Sequence, residues 1–228
     1  MAILYIVATP IGNLEDVTKR ALRILSEVDL ILCEDTRVTK KLLEHYQIKT
    51  PTLSYHQHSR IQKIDYIVNL LKEGRRLALL FDAGTPGISD PGNKLIEEII
   101  NLGVALDIVP LPGPSAVTAA ASISGFNMDK FLFLGFPPAK KKRKKFFEEM
   151  LGSKYPVIFY ESTHRIIKTL KELQLETESH NLEPRIVVCR ELTKKFETVC
   201  RGKIKDVIEK TEKGVIKGEF VVVIEGKN

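Results

Sequence analysis

The sequence predicts an α/β protein, on two observations. Apolar runs typical of strands alternate with helix-like stretches through the first half of the chain, at about residues 3–8, 28–33, 76–81 and 104–109. This alternation is typical of parallel βαβ units with helices on both faces of a sheet. The second observation is a loop rich in Gly, Pro and Asp, residues 81–92, directly after the third run. Loops of this kind let backbone approach a small molecule closely, and α/β proteins bind ligands at such strand ends.

The first half predicts helices near residues 16–27, 36–47, 57–73 and 92–102. Asp16 and Thr18 are candidate caps for the first helix. Gly74 and Gly103 stand where helix-ending glycines are expected. We therefore expect residues 1–115 to form one domain with a mostly parallel, doubly wound sheet.

The second half repeats the pattern with closer spacing. Strands are predicted at 131–136, 157–160, 185–189, 197–200 and 219–224, and helices near 141–151, 162–174 and 203–211, with Ser162 or Thr163 as a cap. Several of these strands are too close for a crossover helix, so part of the sheet should be antiparallel. The predicted fold is thus two αβα domains, 1–115 and 116–228, the second with a mixed sheet.

Composition limits the class of protein. The chain has 228 residues, 43% of them hydrophobic, and no apolar stretch near the ~20 residues of a membrane span. The apolar N-terminus lacks a basic leader, so we interpret it as a strand and expect a cytoplasmic protein without a membrane partner. Three cysteines without C-x-x-C spacing indicate neither disulfides nor a zinc site, and we expect no metal.

The net charge of +6 is concentrated in one segment. Six of the 35 basic residues form the run Lys140, Lys141, Lys142, Arg143, Lys144 and Lys145, and the other 29 equal the acidic residues in number. Such a run is typical of a surface that binds a chain of phosphates. An ordinary solvated helix face is the alternative.

Four loops should meet at the carboxyl ends of the first four predicted strands: residues 9–13, 33–37, 81–92 and 110–115. None carries the G-x-G-x-x-G or G-x-x-x-x-G-K-[ST] pattern, so nucleotide binding by those routes is unsupported. Asp82 and Asp90 are candidates for contacting a cation or ribose hydroxyls. The same residues also fit plain turns.

The segment after the second strand carries two acids and a base. We expect Thr36 to cap the next helix, Glu34 or Asp35 to act as a general base, and Arg37 to hold a phosphate. A capping segment with a surface ion pair is the alternative. His56 and His58 offer imidazoles for polar substrate contacts, since a metal site would need more ligands nearby. Arg165 is a candidate phosphate ligand or a structural residue.

Taken together, these loops resemble one family. The order Thr9-Pro-Ile-Gly-Asn13, Cys33-Glu-Asp-Thr-Arg37, Ser54-Tyr-His-Gln-His58, Asp82-Ala-Gly-Thr-Pro86 and Pro112-Gly-Pro-Ser115 closely resembles the tetrapyrrole methylase superfamily, and within it the 16S ribosomal RNA cytidine 2′-O-methyltransferase family. The resemblance continues through Phe159-Tyr-Glu-Ser-Thr-His-Arg165 and Arg190-Glu-Leu-Thr-Lys194, and covers essentially the whole chain. Porphyrin-type relatives have a glycine-rich first loop and Gly-Asp-Pro in the third, where this chain has Gly84-Thr-Pro86. That departure favours the RNA branch.

The resemblance implies a two-domain homodimer that binds S-adenosylmethionine in the cleft between its domains. It implies methylation of a cytidine ribose in the decoding region of 16S rRNA in the small ribosomal subunit. The alternatives are a tetrapyrrole methyltransferase and a non-catalytic RNA-binding protein. The cofactor residues that it implies are Pro10, Ala83, Gly84, Thr85, Pro86, Ile88, Ser115, Ala116, Tyr160, Glu161, Leu192 and Glu219. Arg37, His56, His58, Arg165 and the run from Lys140 to Lys145 would contact RNA.

Overall fold

The chain folds into two units, residues 1–115 and 116–228. The computed structural model describes residues 2–56 and 61–227. His58 lies outside the described residues. Each unit has its own five-stranded sheet and its own hydrophobic core.

The first unit contains a fully parallel sheet. Its strands are β1 (Ile3–Val7), β2 (Leu30–Cys33), β3 (Thr52–Ser54), β4 (Arg76–Leu80) and β5 (Asp107–Leu111). Its helices are α1 (Lys19–Glu27), α2 (Thr36–His45), α3 (Ile61–Lys72) and α4 (Gly92–Asn101), with a short 3-10 helix at Leu14–Asp16. The strand order is β3-β2-β4-β1-β5, with parallel pairing throughout.

Alternate residues of the strands face two different cores. Leu77 and Leu79 of β4 belong to a core that α3 and α4 cover, whereas Ala78 and Leu80 pack with residues of α1 and α2. This alternation follows from the two-residue period of a strand. Helices therefore cover both faces of the sheet, and the predicted doubly wound arrangement is confirmed.

Two details of the first sheet differ from expectation. Strand β5 continues to Leu111, past Pro110. Proline is tolerated there because β5 is an edge strand, hydrogen-bonded only to β1. Strand β3 was not predicted, since it has only three residues and these are half-buried.

The second unit contains the mixed sheet that the sequence predicted. Its strands are β6 (Leu132–Phe133), β7 (Val157–Ser162), β8 (Arg185–Arg190), β9 (Thr198–Lys203) and β10 (Glu219–Ile224), in the order β6-β7-β10-β8-β9. Only β6 and β7 are parallel, and the other three pairings are antiparallel. The helices are α5 (Ala116–Ser124), α6 (Arg143–Gly152), α7 (Ile166–Ser179) and α8 (Ile204–Lys213).

Helices cover this sheet unequally. The core formed by α6, α7 and α8 includes Phe147, Leu170 and Val207, packed on Phe159 and Phe220 of the strands. Each such side chain contributes about 1.5–3 kcal/mol when it is buried. The small-residue helix α5 packs against β7 and β10.

The predicted cap of α7 was wrong. The residue before the helix is Arg165, whose side chain makes no capping hydrogen bond, and the helix begins at Ile166. The reason is that β7 runs on to Ser162, where it still pairs with Glu219 of β10, and a turn at 163–165 follows.

Candidate active site

The four loops of the first unit do converge. The loop after β1 meets the loop after β4 through an isolated bridge, in which the Thr9 and Gly84 amides donate to each other's carbonyls at 2.9 and 3.1 Å. The Thr9 hydroxyl also donates to the Phe81 carbonyl at 3.0 Å. The loop after β2 joins them where the Asp35 amide donates to Asp82 Oδ1 at 3.3 Å. Parallel neighbours bring their carboxyl ends to the same edge of the sheet, so this meeting follows from the topology.

The loop after β5 packs equally closely on the first loop. A Cβ on Gly113 would lie 2.9 Å from the Ala8 Cβ, closer than side chains pack. The Thr85 hydroxyl donates to the Pro114 carbonyl at 3.1 Å and ties the third loop to the fourth. Glycine at position 113 is therefore a packing requirement.

Asp90 holds the glycine-rich loop in shape. Its Oδ1 accepts hydrogen bonds from the amides of Gly87 and Gly92, both at 2.7 Å. Gly84 and Gly87 have φ values of +82° and +88°, in the region that favours glycine. The Asp90 carboxylate is thus used within the loop. Of the two roles that the sequence allowed, the structure supports the turn residue and not the ligand contact.

Asp35, and not Thr36, caps helix α2. Its side chain accepts the Arg37 amide hydrogen bond at 2.8 Å, so the predicted cap at Thr36 was wrong by one residue. The Arg37 guanidinium also binds the same carboxylate at two nitrogens, with Nη2 2.6 Å from Oδ2. These hydrogen bonds from Arg37 lower the pKa of Asp35 to about 2.

Glu34 has the opposite electrostatic environment. Partial desolvation, followed by the negative charges of Asp82 and Asp90, raises the pKa of its carboxyl above the usual range. Desolvation also raises the pKa of Asp82, although the hydrogen bond from the Asp35 amide partly opposes this rise. The two neighbouring acids of the sequence therefore differ: Asp35 is a strongly ionised structural residue, and Glu34 is a better proton acceptor near neutral pH.

The residues implied for the cofactor in the first unit lie on these joined loops. Ala83 and Ile88 are exposed, with Ile88 45% accessible. Thr85 and Ser115 are half-buried, while Pro10, Gly84 and Pro86 are buried in the loop framework. An exposed isoleucine beside left-handed glycine backbone is suited to contact with a ligand.

His56 follows β3 next to this region. It is exposed, and its electrostatic interaction with Glu34 lowers the pKa of that carboxyl slightly against the stronger effects that raise it. The structure therefore places His56 close enough to influence the candidate base.

In the second unit four of the five implied cofactor residues share one edge of the sheet, and the fifth, Ala116, begins α5. Tyr160 and Glu161 lie at the carboxyl end of β7, and Glu219 begins the antiparallel neighbour β10. Leu192 follows the carboxyl end of β8, on the other side of β10. Tyr160 packs edge-on against Phe133 and Phe136.

Glu161 is buried, at 1% exposure, and is satisfied inside the unit. One carboxylate oxygen pairs with Arg165 at 2.8 Å and accepts the Ser162 amide at 2.7 Å. The other oxygen accepts the Thr169 hydroxyl at 2.6 Å. Arg165 also donates to the Pro137 carbonyl at 2.9 Å. These contacts within the unit favour a structural role for Arg165 over the binding of a phosphate.

Arg143 differs from the other members of the basic run. Its side chain is 11% exposed and binds three partners: the carboxylate of Glu172, the hydroxyl of Thr169 at 2.6 Å and the carbonyl of Pro138 at 3.0 Å. The five lysines of the run are exposed. Only the lysines are therefore available to an anionic partner.

Glu191 and Lys194 belong to a segment that carries the family resemblance, but the sequence predicted no role for either residue. Glu191 has a φ of +53° and its Oε1 accepts from the Glu219 amide at 2.9 Å and from Lys194 Nζ at 3.0 Å. Lys194 also reaches Glu219 Oε2 at 2.8 Å. A Cβ on Gly218 would collide with the Glu191 side chain at 2.3 Å. The sequence shows no periodic pattern for this polar cluster, because the cluster depends on the positive φ of Glu191 and not on a regular helix or strand.

Within residues 2–56 and 61–227, no group of three or more His, Cys, Asp or Glu side chains is arranged to hold a metal ion. Across the same residues, every helix is too short or too polar to span a bilayer.

The chain is similar in sequence to a known family of methylases and to curated relatives. Residues 3–208 match the family model of the tetrapyrrole (corrin/porphyrin) methylases. A ribosomal RNA small subunit methyltransferase I from Thermotoga maritima is 45% identical over 227 residues, which is 100% of both chains. The protein of the same name from Halalkalibacterium halodurans is 45% identical over 98% of this chain and 75% of its own length.

Solved structures give the same fold at low identity. Cobalt precorrin-4 methyltransferase, a cobalamin biosynthetic enzyme, aligns with a TM-score of 0.68 at 17% identity over 98% of this chain and 94% of its own. Uroporphyrin-III-C-methyltransferase from Thermus thermophilus aligns with a TM-score of 0.65 at 19% identity and the same coverage. These similarities concern the fold alone.

Proposed function

Because the chain belongs to the tetrapyrrole (corrin/porphyrin) methylases and, within them, to the ribosomal RNA small subunit methyltransferase I family, we propose that it methylates the 2′-oxygen of a cytidine ribose in 16S rRNA, with S-adenosylmethionine as the methyl donor. The observation that carries the proposal is the full-length match to the Thermotoga maritima relative. The exposed lysines of the run 140–145 support a polyanionic substrate.

The first-unit loops fit such a cofactor. When bound, S-adenosylmethionine supplies a methyl group on a positively charged sulfur. Desolvation is the main cause of the raised pKa values of Glu34 and Asp82, and a cationic ligand beside these carboxyls would favour their ionised forms. We assign the methionine part to Pro10, Ala83, Gly84, Thr85, Pro86 and Ile88, with Ser115 and Ala116 alongside. Tyr160, Leu192 and Glu219 are proposed contacts of the adenosine, and Glu161 supports that edge from inside.

Glu34 is the proposed general base. A ribose hydroxyl is a poor nucleophile until its proton is removed, and a carboxylate with a raised pKa removes it more readily than one held near 2. Glu34 would accept this proton as the oxygen gains the methyl group. Asp35 would keep Arg37 and the start of α2 in place. The joined loops would supply alignment of the reacting atoms.

The homodimer and the action in the decoding region, both implied by the family resemblance, stay predictions, as does the cytoplasmic location expected from the N-terminal sequence.

The test is methyl transfer with three acceptors. Purified protein is given labelled S-adenosylmethionine and small ribosomal subunits that lack the modification, naked 16S rRNA, or a porphyrin precursor. Nucleoside mass spectrometry then identifies the product. We expect 2′-O-methylcytidine from one of the RNA acceptors. Subunits that already carry the modification are the control and should take up no label.

Two results would contradict the proposal. Label in the porphyrin precursor would make the protein a small-molecule methyltransferase. Label in none of the acceptors, with no heat of S-adenosylmethionine binding in calorimetry, would leave a protein without methyltransferase activity.

A further inference from the structure

A cavity of about 500 Å³, partly open to solvent, lies at the surface of the second unit, away from the edge assigned to the cofactor. Its walls are the loop 125–130, the segment 154–156, Arg185 at the start of β8 and residues 225–226 after β10. Since β7 and β8 begin here and β10 ends here, the cavity is at the opposite edge of the sheet from Tyr160 and Glu219. Neither the family resemblance nor the comparisons assign a role to it.

The walls of this cavity are held rigidly. The Arg185 guanidinium binds the Glu225 carboxylate at two nitrogens and lies 5.3 Å from the centre of the Phe126 ring. The Glu225 amide also donates to the Arg185 carbonyl at 3.0 Å, and the Arg185 amide donates to Glu225 Oε2 at 3.2 Å. A Cβ on Gly226 would lie 2.5 Å from the Lys154 carbonyl oxygen, so the end of β10 packs directly on the opposite wall. A rigid cavity needs no ordering when a ligand enters.

Two lysines in the cavity wall form no ion pair with any acidic residue that the structure describes. Lys154 Nζ lies 5.0 Å and Lys130 Nζ 5.7 Å from the centre of the Tyr155 ring. In the described part of the chain, neither lysine forms an ion pair, and both are exposed. The Tyr155 ring therefore gathers two ammonium groups at one place through cation–π attraction.

The charge of the cavity is positive overall. Its cations are Lys130, Lys154 and Arg185, and its acids are Asp129 and Glu225. Glu225 is paired with Arg185, so the two ammonium groups outnumber the single remaining carboxylate. An anion is the favoured ligand.

We propose that this cavity binds a nucleotide of single-stranded RNA, as a contact of the substrate separate from the methylation site. Ammonium groups bind phosphates, and aromatic walls such as those of Phe126 and Tyr155 favour a nucleobase over a simple anion. A volume near 500 Å³ is within the range of small-molecule sites, and it accommodates one nucleotide. The inference rests on the proposed function for its choice of RNA as partner.

The test uses photo-crosslinking and the salt dependence of binding. The probe is a single-stranded 16S rRNA fragment with 4-thiouridine in place of uridine, and the crosslinked peptides are identified by mass spectrometry. The variant is the double substitution Lys130→Gln and Lys154→Gln. Its matched control is Lys205→Gln with Lys210→Gln, two exposed lysines of α8 that form no ion pair in the described residues.

We expect crosslinks to the peptides that contain Phe126 or Tyr155, present in the wild type and the control but lost in the variant. The variant should bind the fragment roughly 10-fold more weakly, and the slope of log affinity against log salt should fall by about 1.4, since each phosphate in a single strand contributes about 0.7. Crosslinks confined to other peptides, or an unchanged slope, would overturn the proposal. A changed oligomeric mass of the variant with unchanged RNA binding would also overturn it, because the cavity would then serve a second copy of the chain.

This outcome is separable from the proposed function. Both measurements are made without methyl transfer, so a protein that crosslinks at Tyr155 but labels no acceptor would retain the RNA site and lose the methyltransferase proposal. A protein that methylates RNA without these crosslinks would support the methyltransferase proposal and overturn the RNA site in the cavity.

Discussion

At the residue scale, the division of roles between Glu34 and Asp35 depends on which one caps α2. Both acids follow β2, and the sequence predicts that both reach the ligand edge of the sheet. Asp, Thr and Ser all cap helices, so the sequence could not decide between Asp35 and Thr36. The structure decides it, since Asp35 accepts the Arg37 amide and is bound by the same guanidinium.

Removal of the candidate base should lower turnover more than cofactor binding. We expect Glu34→Gln to reduce kcat by roughly 10²-fold or more, the usual contribution of a general base, with an S-adenosylmethionine Kd within about threefold of the wild type. Asp35→Asn is the matched control, since asparagine keeps the cap, and it should retain most activity. Single-turnover kinetics and calorimetry measure the two effects. A large kcat loss in Asp35→Asn with normal turnover in Glu34→Gln would reverse the assignment.

The same assignment predicts a pH dependence. Desolvation and the charge of Asp82 raise the pKa of Glu34, so activity should rise with pH through a pKa above the usual value for a glutamate. Asp82→Asn removes one negative neighbour, the Glu34 pKa should fall, and the acidic limb of the kcat profile should move to lower pH. The pH profiles of the two proteins, compared at equal salt, provide the measurement. An unmoved limb would separate Glu34 from the proton transfer.

Arg143 should affect stability and not RNA binding. Arg143→Met removes hydrogen bonds to Glu172, Thr169 and Pro138, and it should lower the free energy of unfolding by about 2 kcal/mol. Lys144→Met is the control, because Lys144 is exposed and its ion pair spans 3.9 Å. It should change stability by less than about 0.5 kcal/mol. Urea unfolding followed by circular dichroism compares them, and equal losses would remove the distinction between the two cations.

At the element scale, the sequence predicted most strands and helices because their apolar periods are regular. The errors fall where local patterns compete. The predicted run at 104–109 stopped before Pro110, but β5 continues to Leu111, since an edge strand accepts proline. Ser162 and Thr163 suggested a cap, but β7 uses Ser162 for pairing with β10. Strand β3 is too short to show a period.

The loop between β4 and α4 should depend on Asp90 as an acceptor and not on its charge. Asp90→Ala leaves the Gly87 and Gly92 amides without this acceptor, and we expect S-adenosylmethionine to bind roughly 10-fold more weakly, a loss of about 1.4 kcal/mol. Asp90→Asn keeps an oxygen in the same position and should bind within about threefold of the wild type. Calorimetry measures both. If the asparagine variant is as weak as the alanine variant, the carboxylate charge is what the ligand needs.

At the scale of the whole molecule, the net positive charge of the chain comes from the basic run 140–145. Outside the run 140–145, basic and acidic residues are equal in number, so attraction of a polyanion at long range depends on that run. The sequence alone predicted this. It could not predict that Arg143 is withdrawn from the surface, nor that Lys130 joins Lys154 at the Tyr155 ring, because Arg143 and Thr169, like Lys130 and Tyr155, are distant in sequence.

Neutralising the five lysines of the run, with Arg143 retained, should weaken RNA binding and flatten its salt dependence. If each lysine meets one phosphate, the slope of log affinity against log salt should fall by about 3.5. The control removes the same charge from five exposed lysines of the first unit: Lys19, Lys40, Lys41, Lys49 and Lys72. Filter binding to a 16S rRNA fragment at several salt concentrations measures the slope. Equal slopes in the two variants would indicate that the run is ordinary solvated surface.

Strand β10 fixes the distance between two sites at opposite edges of the second sheet. Its six residues start beside Glu191 and Lys194 and end at the wall of the cavity, about 20 Å further on at the usual rise of an antiparallel strand. Hydrogen bonds to β7 on one side and β8 on the other keep this length constant. A mononucleotide is too short to occupy both ends at once. Only a polymer can do so, and the strand thereby sets a minimum length for any molecule that is to be held at both.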